Sequence, residues 1–155
     1  MLNGLRKNAK PALQRNSDTL SGRLLSKSEL PTTLAAFFRF NAHGELINMI
    51  HLRNLIMITE HNPHCNFALW TKRTDLIRKY LKDAKKPKNL ILVYSNPKIN
   101  RVLTEPPKHF DKVFNNVDKD YAKEKQNCTG QQCASCLACY KHNGYTVIVE
   151  AVKKR

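Results

Sequence analysis

The run LILVY at 90–94 restricts the fold more than any other segment of the chain. Five consecutive apolar residues suit a strand covered on both faces, as in parallel sheets packed between two layers. Around it stand AAFFRF at 35–40, FALW at 67–70, KVFNNV at 112–117 and YTVIVEAV at 145–152. The first reads as a buried strand through Phe37, Phe38 and Phe40, and the last alternates like an edge strand. Helical patterns separate these runs. GELINMIHLRNLIMITEHN is apolar on most faces and predicts a helix from near Glu45, closed by Pro63. Thr74 reads as the N-cap of a second helix, whose Leu76, Ile77, Tyr80, Leu81 and Ala84 recur at helical spacing. Alternating strands and helices predict an α/β fold, a small, mostly parallel sheet with helices in partial barrel-like βα units.

Residues 1–33 read as a basic N-terminal segment, helical or irregular, whose weak apolar spacing at Leu13, Leu20, Leu24 and Leu25 allows one or two short helices. Residues 34–155 read as the α/β domain, carrying a metal-binding loop at 127–142. A chain of 155 residues supports one sizeable core rather than two.

That loop, NCTGQQCASCLACYKHNG, spaces Cys128, Cys133, Cys136 and Cys139 as C-x4-C-x2-C-x2-C. Thiolates are soft ligands, and four of them suit tetrahedral zinc, with an iron–sulfur cluster as the alternative. Four sulfurs complete a tetrahedron and leave no position for water, so zinc here is expected to fold the loop rather than perform chemistry. The polar neighbours Thr129, Gly130, Gln131, Gln132 and Ser135 argue against a merely apolar packing role. His142 is read as a spare surface histidine. His61, His64 and Cys65 are read as cap and loop polar groups and a buried cysteine.

With 27 Lys and Arg against 12 Asp and Glu, the net charge is 27 − 12 = +15, a field that favours anionic partners. The basic positions Arg78, Lys79, Lys82, Lys85, Lys86 and Lys88 form the candidate partner-binding face. Polar residues follow each predicted strand, among them Arg39, Asn41, His43 and Glu45, then Thr71, Lys72 and Arg73, then Ser95 and Asn96, then Asn115, Asn116 and Asp118. In parallel sheets such positions line a ligand crevice, although loops are polar in any case. No glycine-rich phosphate loop, catalytic carboxylate pair or nucleophile elbow is present, so no enzymatic activity is expected. No apolar stretch approaches the roughly 20 residues of a membrane span, and the first residues lack the apolar block of a secretory signal. A cytoplasmic location in a host cell is therefore expected, where clustered cysteines favour metal over disulfides.

From FFRFNAHGELINMIHLRNLI through FALWTKR, LILVYSNP and KVFNNVDKDYA to the cysteine cluster, the chain resembles the phage-encoded gene-product-88-like family over residues 34 to 155. The resemblance implies a phage context and a strand and helix order like part of a radical-SAM-type barrel. Longer members carry further cysteines upstream, and this chain has none before Cys65. A short basic phage or mobile-element metalloprotein of this kind is similar in character to small metal-binding anti-CRISPR inhibitors of the type II effector nuclease. That likeness implies a non-catalytic protein acting on a host defence protein or ribonucleoprotein complex. The alternatives are a nucleic-acid-binding protein and an iron–sulfur, radical-SAM-like enzyme remnant.

Overall fold

The structure is a computed structural model that describes residues 2–121, 126–129 and 132–152. Strands β1 (Phe37–Phe40), β2 (Asn66–Thr71), β3 (Leu90–Ser95), β4 (Lys112–Val117) and β5 (Val147–Ala151) form one sheet. Every neighbouring pair is parallel, and the spatial order follows the chain order. Helix α1 (Leu2–Gly22) packs on α2 (Met49–His61), and α3 (Thr74–Asp83) joins β2 to β3. A single turn, α4 (Cys133–Cys136), lies between β4 and β5. The parallel α/β class expected from the apolar runs is the class the chain forms.

Alternation along the strands builds two cores. Phe67 and Leu69 of β2 enter one cluster with Phe40, Leu55, Ile58, Ile77, Leu90 and Leu92, the layer covered by α2 and α3. Ala68 and Trp70 point the other way, into a cluster with Ile91, Val93, Phe114 and Ile148. Each fully buried side chain of this size contributes about 1.5–3 kcal/mol. Because β3 supplies both clusters, LILVY has no polar position, which is why it was the plainest strand in the sequence.

Four local expectations need correction. Helix α2 begins at Met49 rather than near Glu45, because the Asn48 side chain accepts from His51 N at 2.9 Å and ends the preceding loop. Leu46, although apolar and 1% exposed, is buried from that loop. Thr74 is the first helical residue of α3 and Arg73 its N-cap, while Ala84 is exposed just past the helix end. β1 is an edge strand, and Phe38 stays 43% exposed instead of buried. The N-terminal segment forms one helix of 21 residues with Pro11 inside it, followed by a 3-10 turn at Lys27–Glu29.

Candidate metal centre and basic helix face

The cysteine segment is shaped by backbone hydrogen bonds at both ends. Asn127 N and Cys128 N donate to Val149 O at 3.2 and 3.0 Å, and Asn127 Oδ1 accepts from Val149 N at 2.8 Å, which lays this stretch along the outer edge of β5. Cys128 there forms a parallel bridge with Glu150. The x2 spacing of Cys133 and Cys136 puts them three residues apart on the single turn of α4, hence on one side of it. Leu137 then adopts the left-handed conformation, φ 54°, and donates to Cys133 O at 2.9 Å, reversing the chain toward Cys139. A β-carbon in that region costs roughly 1–2 kcal/mol, so packing must hold it. Gly130 and Gln131 lie outside the described residues.

Packing does hold it. Cys128, Cys139 and Tyr140 sit against the Trp70, Phe114 and Ile148 cluster. Tyr140 meets Phe37 of β1 edge-on, with ring centroids 5.7 Å apart, and Lys141 Nζ stands 5.5 Å from the same ring. The segment thus crosses one face of the sheet from β5 to β1. Arg39, next to Phe37 but one, lays its guanidinium 3.8 Å from the Trp70 ring centroid. Lys112, at the start of β4 and only 1% exposed, donates to Asn143 Oδ1 at 2.8 Å and Tyr145 O at 2.7 Å, securing the outgoing end of the segment. Burial holds its pKa below that of an ordinary lysine. The sequence reading missed Phe37, Arg39, Tyr140 and Lys112 as supports. The available signal was the alternation in FFRF, which places Phe37 and Arg39 on the face opposite Phe38 and Phe40.

The five cysteines form no disulfide with one another. Cys128, Cys133, Cys136 and Cys139 line one cavity of about 410 Å³ together with Tyr145 and Ile148. Burial, with Cys128, Cys133 and Cys136 close by, pushes the Cys139 thiol up to about 12, while Arg39 acts in the opposite sense. Among the described residues no three His, Cys, Asp or Glu side chains converge closely enough to hold a metal ion. The donor set fits zinc or an iron–sulfur cluster in kind and number, four soft sulfurs on one cavity, and ligation requires the segment to draw in to metal–sulfur distances of about 2.3 Å.

The other candidates lie elsewhere. Cys65, 0% exposed, is in the α2–α3 core on the opposite face of the sheet, and burial raises its thiol pKa. His61 Nε2 pairs with Thr32 Oγ1 at 3.2 Å and His64 Nε2 with Thr33 O at 2.6 Å, so both serve the loop before β1. His142 is exposed. Arg78, Lys79, Lys82, Lys85 and Lys88 are exposed on and just beyond α3, but Lys86 is not part of that face. Its ammonium is held by Asp111 Oδ2 at 2.8 Å and by Leu90 O at 2.6 Å. The polar residues after the strands mainly tie loops together: Glu45 accepts from Thr71 Oγ1 and from Lys72 N, Asn41 donates to Trp70 O, and Asn96 donates to Asn115 Oδ1.

Among the described residues no helix is long and apolar enough to cross a membrane. No curated protein and no solved structure gives a match to the chain. A family model, gene product 88, matches residues 22–155, from the last residue of α1 onward, in keeping with the phage context implied by the sequence. With the match extending over most of its length, the chain belongs to the gene product 88 family.

Proposed function

We propose that this is a non-catalytic metalloprotein in which Cys128, Cys133, Cys136 and Cys139 bind one structural zinc, and that the metal-stapled scaffold acts by binding a host target. The observation that carries the reading is the common cavity: four cysteines of one short segment line a single space, and that segment spans the sheet from edge to edge. Closing it around a metal would lock β1 and β5 to the same loop. Metal analysis and an absorption spectrum of aerobically and anaerobically prepared protein test this. Colourless protein with one zinc per chain supports it, brown protein with iron and sulfide moves the site to an iron–sulfur cluster, and metal-free folded protein refutes it.

The partner reading rests on the exposed Arg78, Lys79, Lys82, Lys85 and Lys88, whose positive charge suits an anionic or RNA-bearing surface. The first target to assay is a host defence ribonucleoprotein, with a guide-loaded type II CRISPR effector as the specific candidate. Binding is measured against naked duplex DNA at matched salt. Preference for the complex at physiological ionic strength supports the inhibitor reading, and equal or better binding to DNA replaces it with nucleic-acid binding.

A further inference from the structure

On the face of the sheet away from the cysteines, a second cavity of about 680 Å³ opens beside β1, between α1, α2 and the β1–α2 connection. Its size is within the range of small-molecule sites, roughly 300–1,000 Å³. Three aromatic rings form its floor. Phe40 stacks on Phe67 at 5.0 Å, and Phe38 lies 5.4 and 5.8 Å from the two. Phe40 and Phe67 are 7% and 1% exposed, whereas Phe38 keeps 43% of its surface uncovered at the edge of an otherwise packed cluster. Leu55 and Ile58 of α2 supply an aliphatic wall.

One polar side chain stands out in this lining. His51 is 4% exposed, and its Nδ1 accepts from Ile47 N at 3.4 Å, which leaves the ring proton on Nε2. Among the described residues that N–H meets no acceptor, and it keeps contact with open space, since the side-chain donor sealed in protein without a partner is Trp70 Nε1 instead. Burial lowers the pKa of the ring, so at neutral pH it is an uncharged donor. The carboxylate of Glu45, which also borders the cavity, is already engaged by Leu46 N, Thr71 Oγ1 and Lys72 N. The Arg39 guanidinium is stacked on Trp70. Among the described residues, the two charged side chains that border the cavity are thus already engaged elsewhere.

We propose that this cavity binds an uncharged small molecule with a flat apolar body and one hydrogen-bond acceptor, the body covering Phe38 and the acceptor taking the Nε2–H of His51. A water molecule would satisfy the donor but leave the ring uncovered, and an anion would be desolvated without a cation to meet it. The inference is independent of the metal reading.

Saturation-transfer NMR titrations with three probes test it: acetophenone, which has ring and acceptor, ethylbenzene, which lacks the acceptor, and benzoate, which is anionic. Acetophenone is expected to bind saturably and about tenfold more tightly than either of the others, the worth of one desolvated hydrogen bond. His51→Phe should erase its advantage over ethylbenzene. Thr19→Trp, at an exposed position on α1 that borders the cavity, should weaken all binding with the fold kept, so the test survives if His51→Phe does not fold. Absence of saturable acetophenone binding, equal binding of the three probes, or unchanged binding in Thr19→Trp overturns the proposal.

Discussion

The side chain of Asn54, in the middle of α2, accepts from the backbone N–H of Leu25 at 2.9 Å and thereby holds the segment that follows α1. The same carboxamide donates to Leu20 O at 2.8 Å and Arg23 O at 2.7 Å. Asn54 is 0% exposed, so one buried side chain satisfies three backbone groups at the end of a helix, where carbonyls otherwise lack partners. Asn54→Ala is expected to lower stability by about 2–4 kcal/mol, three hydrogen bonds at roughly 1 kcal/mol each plus the groups left unmatched. Denaturant unfolding gives the size, and hydrogen exchange should show residues 20–25 losing protection first. A loss below about 0.5 kcal/mol, the size of a neutral surface change, would mean that α1 is anchored by its apolar face instead.

The cysteines should divide into two classes. Cys133→Ser or Cys136→Ser is expected to abolish stoichiometric metal and lower the melting temperature, because metal-binding energy is folding energy where the unfolded chain has no site. Cys65→Ala should leave metal content unchanged, since Cys65 is buried on the other side of the sheet. Metal analysis beside thermal melts decides: parent-like melting of a metal-free Cys133→Ser protein would remove the staple, and substoichiometric metal in Cys65→Ala would make that residue a ligand.

Acid should destabilise the fold partly through His51. Its folded-state pKa lies below the ordinary 6.5 because burial disfavours the charged ring. Below 6.5 the unfolded chain therefore takes up a proton that the native ring resists. The stability it contributes is complete above that value and is lost as pH falls through the folded pKa. Relative to His51→Phe, the parent should lose melting temperature between about pH 7 and pH 5. Parallel pH profiles of the two proteins would show that the ring titrates as freely in the native state as in the unfolded chain.

Charge reversal on α3 should separate binding from folding. Lys82 and Lys85 are exposed, and the buried residues of that helix are Leu76 and Ile77. The Lys82→Glu, Lys85→Glu double variant should melt within about 1 kcal/mol of the parent and yet associate more slowly with an anionic target. If naked DNA is that target through six or more phosphates, parent affinity should fall about a thousandfold between roughly 50 and 200 mM salt. A double variant with unchanged association kinetics would place the interface elsewhere.

What the sequence disclosed was local. LILVY, KVFNNV and FALW are strands because each buries adjacent residues on both sides of a sheet, a requirement visible residue by residue. The cysteine spacing likewise shows four sulfurs within reach of one another. The errors came from partners distant in the chain. Apolar Leu46 and Ile47 continue a helical pattern into a loop, but Glu45 and Asn48 cap the backbone there, and Glu45 answers to Thr71 and Lys72, 26 and 27 residues away. Lys86 looks like one more charge in a basic run until Asp111, 25 residues on, is folded against it. The single long helix α1 has little apolar patterning, and much of what fixes its end comes from Asn54. Nothing local marks Lys112 as a buried lysine, since its acceptors, Asn143 and the Tyr145 carbonyl, lie beyond the cysteines.

The strand order carries a consequence for synthesis. Since each strand pairs with the one translated just before it, β2 can add to β1, β3 to β2 and β4 to β3 as the ribosome releases them, with no gap kept open for a later insertion. Such growth avoids the long search that distant pairings impose. The cysteine segment breaks this rhythm. It emerges before β5, yet its entry is hydrogen-bonded to β5 and its exit touches β1, the first strand made. A nascent chain halted before Val147 would therefore hold all four thiols with no strand for Cys128 to dock on, and the final strand converts an exposed, oxidation-prone cysteine tract into part of the finished fold.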